Sequence, residues 1–158
     1  MTRRSDFTAE EWALLQETVD QTAAVMMAAA PGGLLSEMAA GFGAVVDAAD
    51  AFPADALIQD LLGRTSEDAA RREPHPHQPF EQTRLALLAA CRAAVDLLAR
   101  KATPEELSDY RRLLLYVAEK VASAGKEGAF LGIIGGRRVS EAEAALVEAI
   151  AAALGVAR

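Results

Sequence analysis

The two histidines of the chain, His75 and His77, stand one residue apart in a proline-rich stretch. Two imidazoles at this spacing could contribute to a metal site. A stable zinc site takes three or four protein ligands, however, and no third ligand is evident nearby. We therefore predict a solvated loop, where the histidines could still titrate near neutral pH, and we assign no metal-binding residue.

Three pairs of carboxylates have the residue types needed for general acid–base catalysis. They are Glu10–Glu11, Glu105–Glu106 and Glu141/Glu143. In each pair the second acid follows Thr8, Thr103 or Ser140 by three positions, which is the pattern of a capping box at a helix N-terminus. We predict that these acids cap helices. A further series, Asp47, Asp50, Asp55 and Asp60, predicts a solvated face.

Nucleophilic catalysis is not indicated by the remaining residues. Cys91, the single cysteine, lies in the apolar segment LLAACRAAV with no histidine close in sequence, and the chain has no Gly-x-Ser-x-Gly motif. We predict that Cys91 is a small core residue and that the protein has no catalytic residue and is not an enzyme. A single cysteine excludes an internal disulfide and fits a cytoplasmic location.

The most unusual stretch is AGKEGAFLGIIGGRRVS at 124–140, a glycine-punctuated apolar loop between two helical patterns. Within the loop 125–138 the candidate partner-binding residues are Phe130, Leu131, Ile133, Ile134, Arg137 and Arg138. The apolar side chains could fold back and plug the end of a helical bundle, dock another chain or a second copy, or touch a membrane. The arginines, placed before a capped helix, could also bind an anion.

Apolar residues at helical spacing predict about six helices, all in a single domain spanning 1–158. The first begins after Thr8 and ends at Pro31-Gly32-Gly33. The next three cover about Leu35–Ala51, Ala54–Leu62 and Phe80–Lys101. The fifth runs from Pro104 through Val121, and the sixth from Ser140 to Gly155. We predict a flexible tail over 1–6 and a polar, proline-containing loop over 64–79.

Two stretches, Thr8–Ala51 and Thr103–Leu154, share one plan: a capped helix, a glycine break, Ser-Glu and an apolar helix. The chain therefore reads as an all-α bundle of two similar hairpins. Val117–Val156 resembles the tellurite-resistance TerB-like helical family, which implies a helical bundle and a stress- or membrane-associated scaffold. Many members carry an Ala-Asp-Gly step that holds a divalent metal. Here Pro31 and Gly125-Lys126 stand in its place, which leaves Glu37 and Glu143 as the matching acids.

The formal net charge of −7 argues against nucleic acid as a partner, because phosphate neutralisation needs a basic face. No run of 18 uncharged apolar residues and no signal-peptide pattern is present, so we expect a cytoplasmic protein. We predict a non-enzymatic interaction or scaffolding protein that self-associates and needs no cofactor. The alternative is an apolar-ligand or lipid carrier with a cavity at Met38, Phe42 and Val45, and a divalent-metal-binding stress protein comes third.

Overall fold

In this computed structural model the described residues are 2–29, 43–45, 47–63, 79–124 and 140–157. A short 3₁₀ turn at Arg4–Asp6 precedes helix α1, Ala9–Ala29. The helical residues 43–45 and 47–51 form α2. The remaining helices are α3 (Ala56–Leu62), α4 (Phe80–Lys101), α5 (Pro104–Ala124) and α6 (Glu141–Ala153). Every element in these ranges is helical, which confirms the predicted all-α bundle.

The three predicted capping boxes are confirmed. The backbone N–H groups of Thr8, Thr103 and Ser140 donate to the glutamate three residues on, at 2.8, 2.9 and 2.8 Å. In return, each hydroxyl oxygen accepts the glutamate's own N–H at 3.2 Å. At the start of α1 the Phe7 and Trp12 rings pack with centroids 5.6 Å apart, as a hydrophobic staple does.

Two further helix termini depend on single residues. Asp55 was predicted to belong to a solvated face, but its carboxylate accepts the N–H of Ile58 at 3.0 Å and caps α3. The prediction is wrong for this residue because a cap can precede a helix without a glutamate three residues on. At the end of α6, Gly155 has φ +69°. The bonds from Gly155 N to Ala152 O and from Val156 N to Ala151 O form the glycine-terminated end predicted there.

Helix α1 lies against α3, α4, α5 and α6 and forms one wall of the core. The centre of the core is filled by large side chains that are fully buried, among them Leu15, Met26, Leu98, Leu114 and Ile150. Two buried polar groups find partners inside: Tyr110 Oη donates to Leu15 O at 3.0 Å, and Gln16 Nε2 donates to Leu61 O at 3.1 Å. Burial of each such apolar side chain stabilises the fold by about 1.5–3 kcal/mol.

Long-range contacts fix the directions of the helices. Lys101 Nζ at the end of α4 donates to Asp6 O and to Glu11, so α4 runs antiparallel to α1. Near the start of α5, Glu106 accepts a bond from Thr2, and Tyr110, about one turn further on, donates to Leu15 of α1. Helix α5 therefore runs in the same direction as α1.

Helices α2 and α6 run antiparallel to α5. An ion pair of 3.5 Å joins Asp47 of α2 to Lys120 near the end of α5. The Arg111 guanidinium lies beside Gly155, which places the C-terminus of α6 near the start of α5. Since α1, α4 and α5 are each about 30 Å long, Ala29, Gly43, Phe80, Ala124 and Ser140 lie at one end of the bundle. We call this the distal end.

The N-terminal residues are held against the opposite end. Thr2 is buried, its N–H donates to Glu106 Oε1 and its hydroxyl donates to Glu106 Oε2, both at 2.6 Å. This placement differs from the flexible tail predicted for 1–6. The difference arises because nothing local in the sequence links Thr2 to an acid 104 positions away. Met1 lies outside the described residues.

Glu106 therefore accepts more hydrogen bonds than a capping-box acid needs. Burial by itself would raise the pKa of this carboxyl, but the bonds from Thr2 and Thr103 outweigh it and lower the pKa to about 2. Because the folded-state pKa lies below the ordinary glutamate value of 4.5, the stabilisation is complete above about pH 5. It is lost as the pH falls toward 2, and a shift of this size corresponds to about 3 kcal/mol.

We predict that Glu106→Gln lowers the free energy of unfolding by about 2–4 kcal/mol at pH 7, because an amide presents a donor to groups that need an acceptor. The matched control is Glu143→Gln, which touches a capping box alone and lowers it by about 0.5–1 kcal/mol, since glutamine still suits that position. Urea denaturation measures both. The gap between wild type and Glu106→Gln narrows on acidification from pH 5 to pH 3. Equal effects of the two substitutions at pH 7 would contradict the assigned role of Thr2.

Candidate functional site

The predicted partner-binding residues all fall in one undescribed segment. Phe130, Leu131, Ile133, Ile134, Arg137 and Arg138 lie outside the described residues, as do Met38 and Phe42 of the alternative cavity. Val45, the third residue of that cavity, is half-buried and packs against the core. His75 and His77 and the loop predicted for 64–79 also lie outside, apart from Pro79, which precedes the first residue of α4.

The described helices nevertheless fix where the candidate loop attaches. Ala124 ends α5 and Ser140 caps α6, and both lie at the distal end. Ala29 and Gly43, which flank the 30–42 segment, lie at the same end. In sequence, 30–42 and 125–139 are the two glycine-containing apolar stretches of the chain. The fold thus anchors both of them to one end of the bundle.

One acid of each pair considered for catalysis is engaged in structural bonds. Glu11, Glu106 and Glu143 each accept the N–H of their capping partner. A hydrogen bond from the Lys101 ammonium, followed by the backbone bond from Thr8, lowers the pKa of Glu11. An acid whose pKa is lowered stays ionised at neutral pH, so Glu11 and Glu106 hold no proton to donate to a substrate.

The two buried groups with nucleophilic atoms are also protected. Cys91 and Tyr110 have no exposed surface, and Cys91 lies in α4 among core residues as predicted. Burial raises the pKa of the Cys91 thiol to about 12, and burial likewise raises the pKa of Tyr110. Since the thiolate is the reactive form of cysteine, Cys91 is inert in the folded protein near neutral pH.

In the described part of the chain, no group of three or more His, Cys, Asp or Glu side chains is arranged to hold a metal ion. Glu143, one of the two acids that match the TerB-like metal pattern, caps α6, and Glu37 lies outside the described residues. Within the same ranges, no helix combines the length and apolarity needed to cross a bilayer.

Two exposed apolar residues were not singled out from the sequence. Within the described ranges the large hydrophobic side chains with substantial exposure are Phe80, at 36%, and Leu85, at 58%. Both belong to α4. In a helical projection of α4, Leu85 lies away from the buried residues Leu87, Leu88 and Cys91. Such a projection of the sequence would have identified Leu85 as exposed.

Comparison of the chain with protein-family models, with curated proteins and with solved structures returned no match. The resemblance of Val117–Val156 to the TerB-like family therefore stays a prediction from the sequence. Of that stretch the structure describes 117–124 and 140–156, which belong to the end of α5 and to α6 with its C-terminal turn.

We predict that the Cys91 thiol of the native protein reacts with a disulfide reagent at pH 8 at least about a hundredfold more slowly than an exposed thiol, because it has no exposed surface and burial raises its pKa to about 12. The matched control is Ala89→Cys in a Cys91→Ala background, since residue 89 is exposed on the same helix. Absorbance of the released thiol measures both rates. Similar rates for the two thiols under native conditions would show that Cys91 is accessible.

Proposed function

We propose that this protein is a non-enzymatic interaction or scaffolding protein that binds another protein chain, a second copy of itself included. The contact element is the loop 125–138. The observation that supports this most is the position of Ala124 and Ser140 at the distal end, because the loop is attached there, opposite the end that holds Thr2 and Glu106. One acid of each candidate pair accepts capping bonds, and the Cys91 thiol is buried in the described fold.

The residue types of the loop suit a protein interface. Phe130, Leu131, Ile133 and Ile134 supply apolar area, and each contributes about 1.5–3 kcal/mol when a partner buries it. Arg137 and Arg138 add cations next to that area, and arginine is enriched at interfaces where it combines charge with an apolar stem. In a chain of net charge −7, these cations also favour an acidic partner surface, such as another copy of this protein.

A cytoplasmic setting and a role in stress or at a membrane surface belong to the same proposal. The buried, unpaired thiol of Cys91 agrees with a reducing compartment. The role in stress derives from the TerB-like resemblance, and a peripheral membrane contact would use the same loop, with Lys126, Arg137 and Arg138 as interfacial cations. The acidic remainder of the chain works against anionic lipids, so a protein partner is the stronger proposal.

We expect the double substitution Phe130→Asp with Ile133→Asp to weaken self-association or partner binding at least a hundredfold, because two buried apolar anchors are lost. Helical circular dichroism should be unchanged. Light scattering coupled to size-exclusion chromatography and native mass spectrometry measure the association, and the mass spectra also report any retained ligand or metal.

The control is Ala145→Asp with Ala152→Asp, which adds the same charge at two exposed positions of α6. This variant should associate as the wild type does. Unfolding of the loop variant alone would contradict the proposal, because it would mean that the loop is part of the core.

A further inference from the structure

Helix α4 has two faces of different character. Leu87, Leu88, Cys91, Ala94, Leu97 and Leu98 are buried against the other helices. The opposite, solvent-facing line consists of Leu85, Ala89, Arg92, Asp96 and Ala99, all exposed. Their spacings of four, three, four and three residues keep them on one line of the helix, as in a helix-pairing seam. We call these five residues the α4 seam.

The seam is unusual in both its apolar and its charged members. Leu85 is 58% exposed, which is more than Phe80, the other large apolar side chain exposed in the described part. Among the described ion pairs none involves Arg92 or Asp96, although both carry charge at the centre of the seam. The seam as a whole has no net charge, in a chain whose net charge is −7.

We propose that the α4 seam binds the α4 seam of a second copy in antiparallel orientation about a two-fold axis level with residue 94. This axis places Arg92 opposite Asp96 of the second copy and Asp96 opposite its Arg92. Two equivalent ion pairs form from residues that have no ion pair with another described residue. A surface that matches itself in this way is what a two-fold interface requires.

The same axis also matches the other members of the seam. Ala89 comes opposite Ala99 of the second copy, where small side chains let the two helices approach to about 8 Å. Leu85 comes opposite Thr103 of the second copy, an exposed residue just beyond the end of α4. Thr103 covers the apolar surface of Leu85 there. Every seam residue therefore meets a small or oppositely charged residue, and no like charges face each other.

A second copy suits the seam better than an unrelated partner because the order of the two charges is its own complement when reversed. A single helix pair buries an area at the low end for specific interfaces, so the dimer is weak, with a dissociation constant on the order of 10–100 µM. This surface is separate from the loop 125–138, and the proposal does not rest on the function proposed above.

Charge reversal tests the pairing. Arg92→Asp gives a seam with two acids, and Asp96→Arg gives a seam with two bases, so each variant should raise the dimer dissociation constant about tenfold or more. An equimolar mixture should restore a dimer at least as tight as the wild type, because each acid then faces a base. A salt bridge within one helix cannot produce this rescue. Glu17→Arg on α1 is the control and should leave the wild-type constant unchanged.

Analytical ultracentrifugation up to about 1 mM protein covers the expected range. The measurements are made in the Phe130→Asp, Ile133→Asp background as well, so that association through the loop is separated from association through α4. A monomeric wild type over this range, unchanged constants in the two seam variants, or no rescue in the mixture would each overturn the proposal. None of these results bears on partner binding by the loop.

Disulfide cross-linking tests the register, in a Cys91→Ala background. A mixture of Ala89→Cys and Ala99→Cys chains should form a disulfide-linked heterodimer on mild oxidation. Ala89→Cys alone should not, because two copies of residue 89 are offset by about 15 Å along antiparallel helices, beyond the reach of a disulfide. If Ala89→Cys chains cross-link to each other and the mixture gives no heterodimer, the helices are parallel. That result would overturn the proposed arrangement.

Discussion

Burial of one side of helix α1 is the constraint on which the rest of the fold depends. Its buried residues, from Trp12 to Met26, cover about half of the helix circumference and face α3, α4, α5 and α6. That side also contains polar groups, which must be satisfied internally. Thr18 and Thr22 donate to backbone carbonyls one turn earlier, and Gln16 donates to α3. Tyr110 adds a further bond from α5, and the buried Trp12 Nε1 is without a partner among the described residues.

The directions imposed by α1 give the bundle two different ends. One end holds the N-terminal residues, the Glu106 carboxylate and Lys101, and hydrogen bonds join Thr2 to Glu106 and Lys101 to Asp6 there. The distal end carries the helix termini to which the two glycine-containing apolar stretches attach. At the first end the Glu106 carboxylate accepts three hydrogen bonds, which stabilise the fold. The same bonds make it a poor proton donor at neutral pH.

The two proposed contact surfaces differ in their physical chemistry. The loop 125–138 offers large apolar side chains beside cations, which suits a tight contact with apolar anchors. The α4 seam offers small side chains and one charge of each sign, which suits a weak and orientation-specific contact between copies. A scaffold can use both, one to capture a partner and the other to bring two captured partners together.

The sequence by itself determined the helical architecture and three of the helix caps. The boxes at Thr8, Thr103 and Ser140, the staple of Phe7 on Trp12 and the bounds of α4 follow from residues within about four positions of each other. The candidate loop, too, was identified by composition alone.

Tertiary structure decided what depends on how the helices pair. The bond of Thr2 to Glu106 joins residues 104 positions apart, and Lys101 reaches Asp6 across 95. Tertiary structure likewise decided that Ala124 and Ala29 lie at the same end of the bundle and that Leu85 faces solvent. Local patterns do not specify them because the free energy of such contacts arises only when distant helices are already packed.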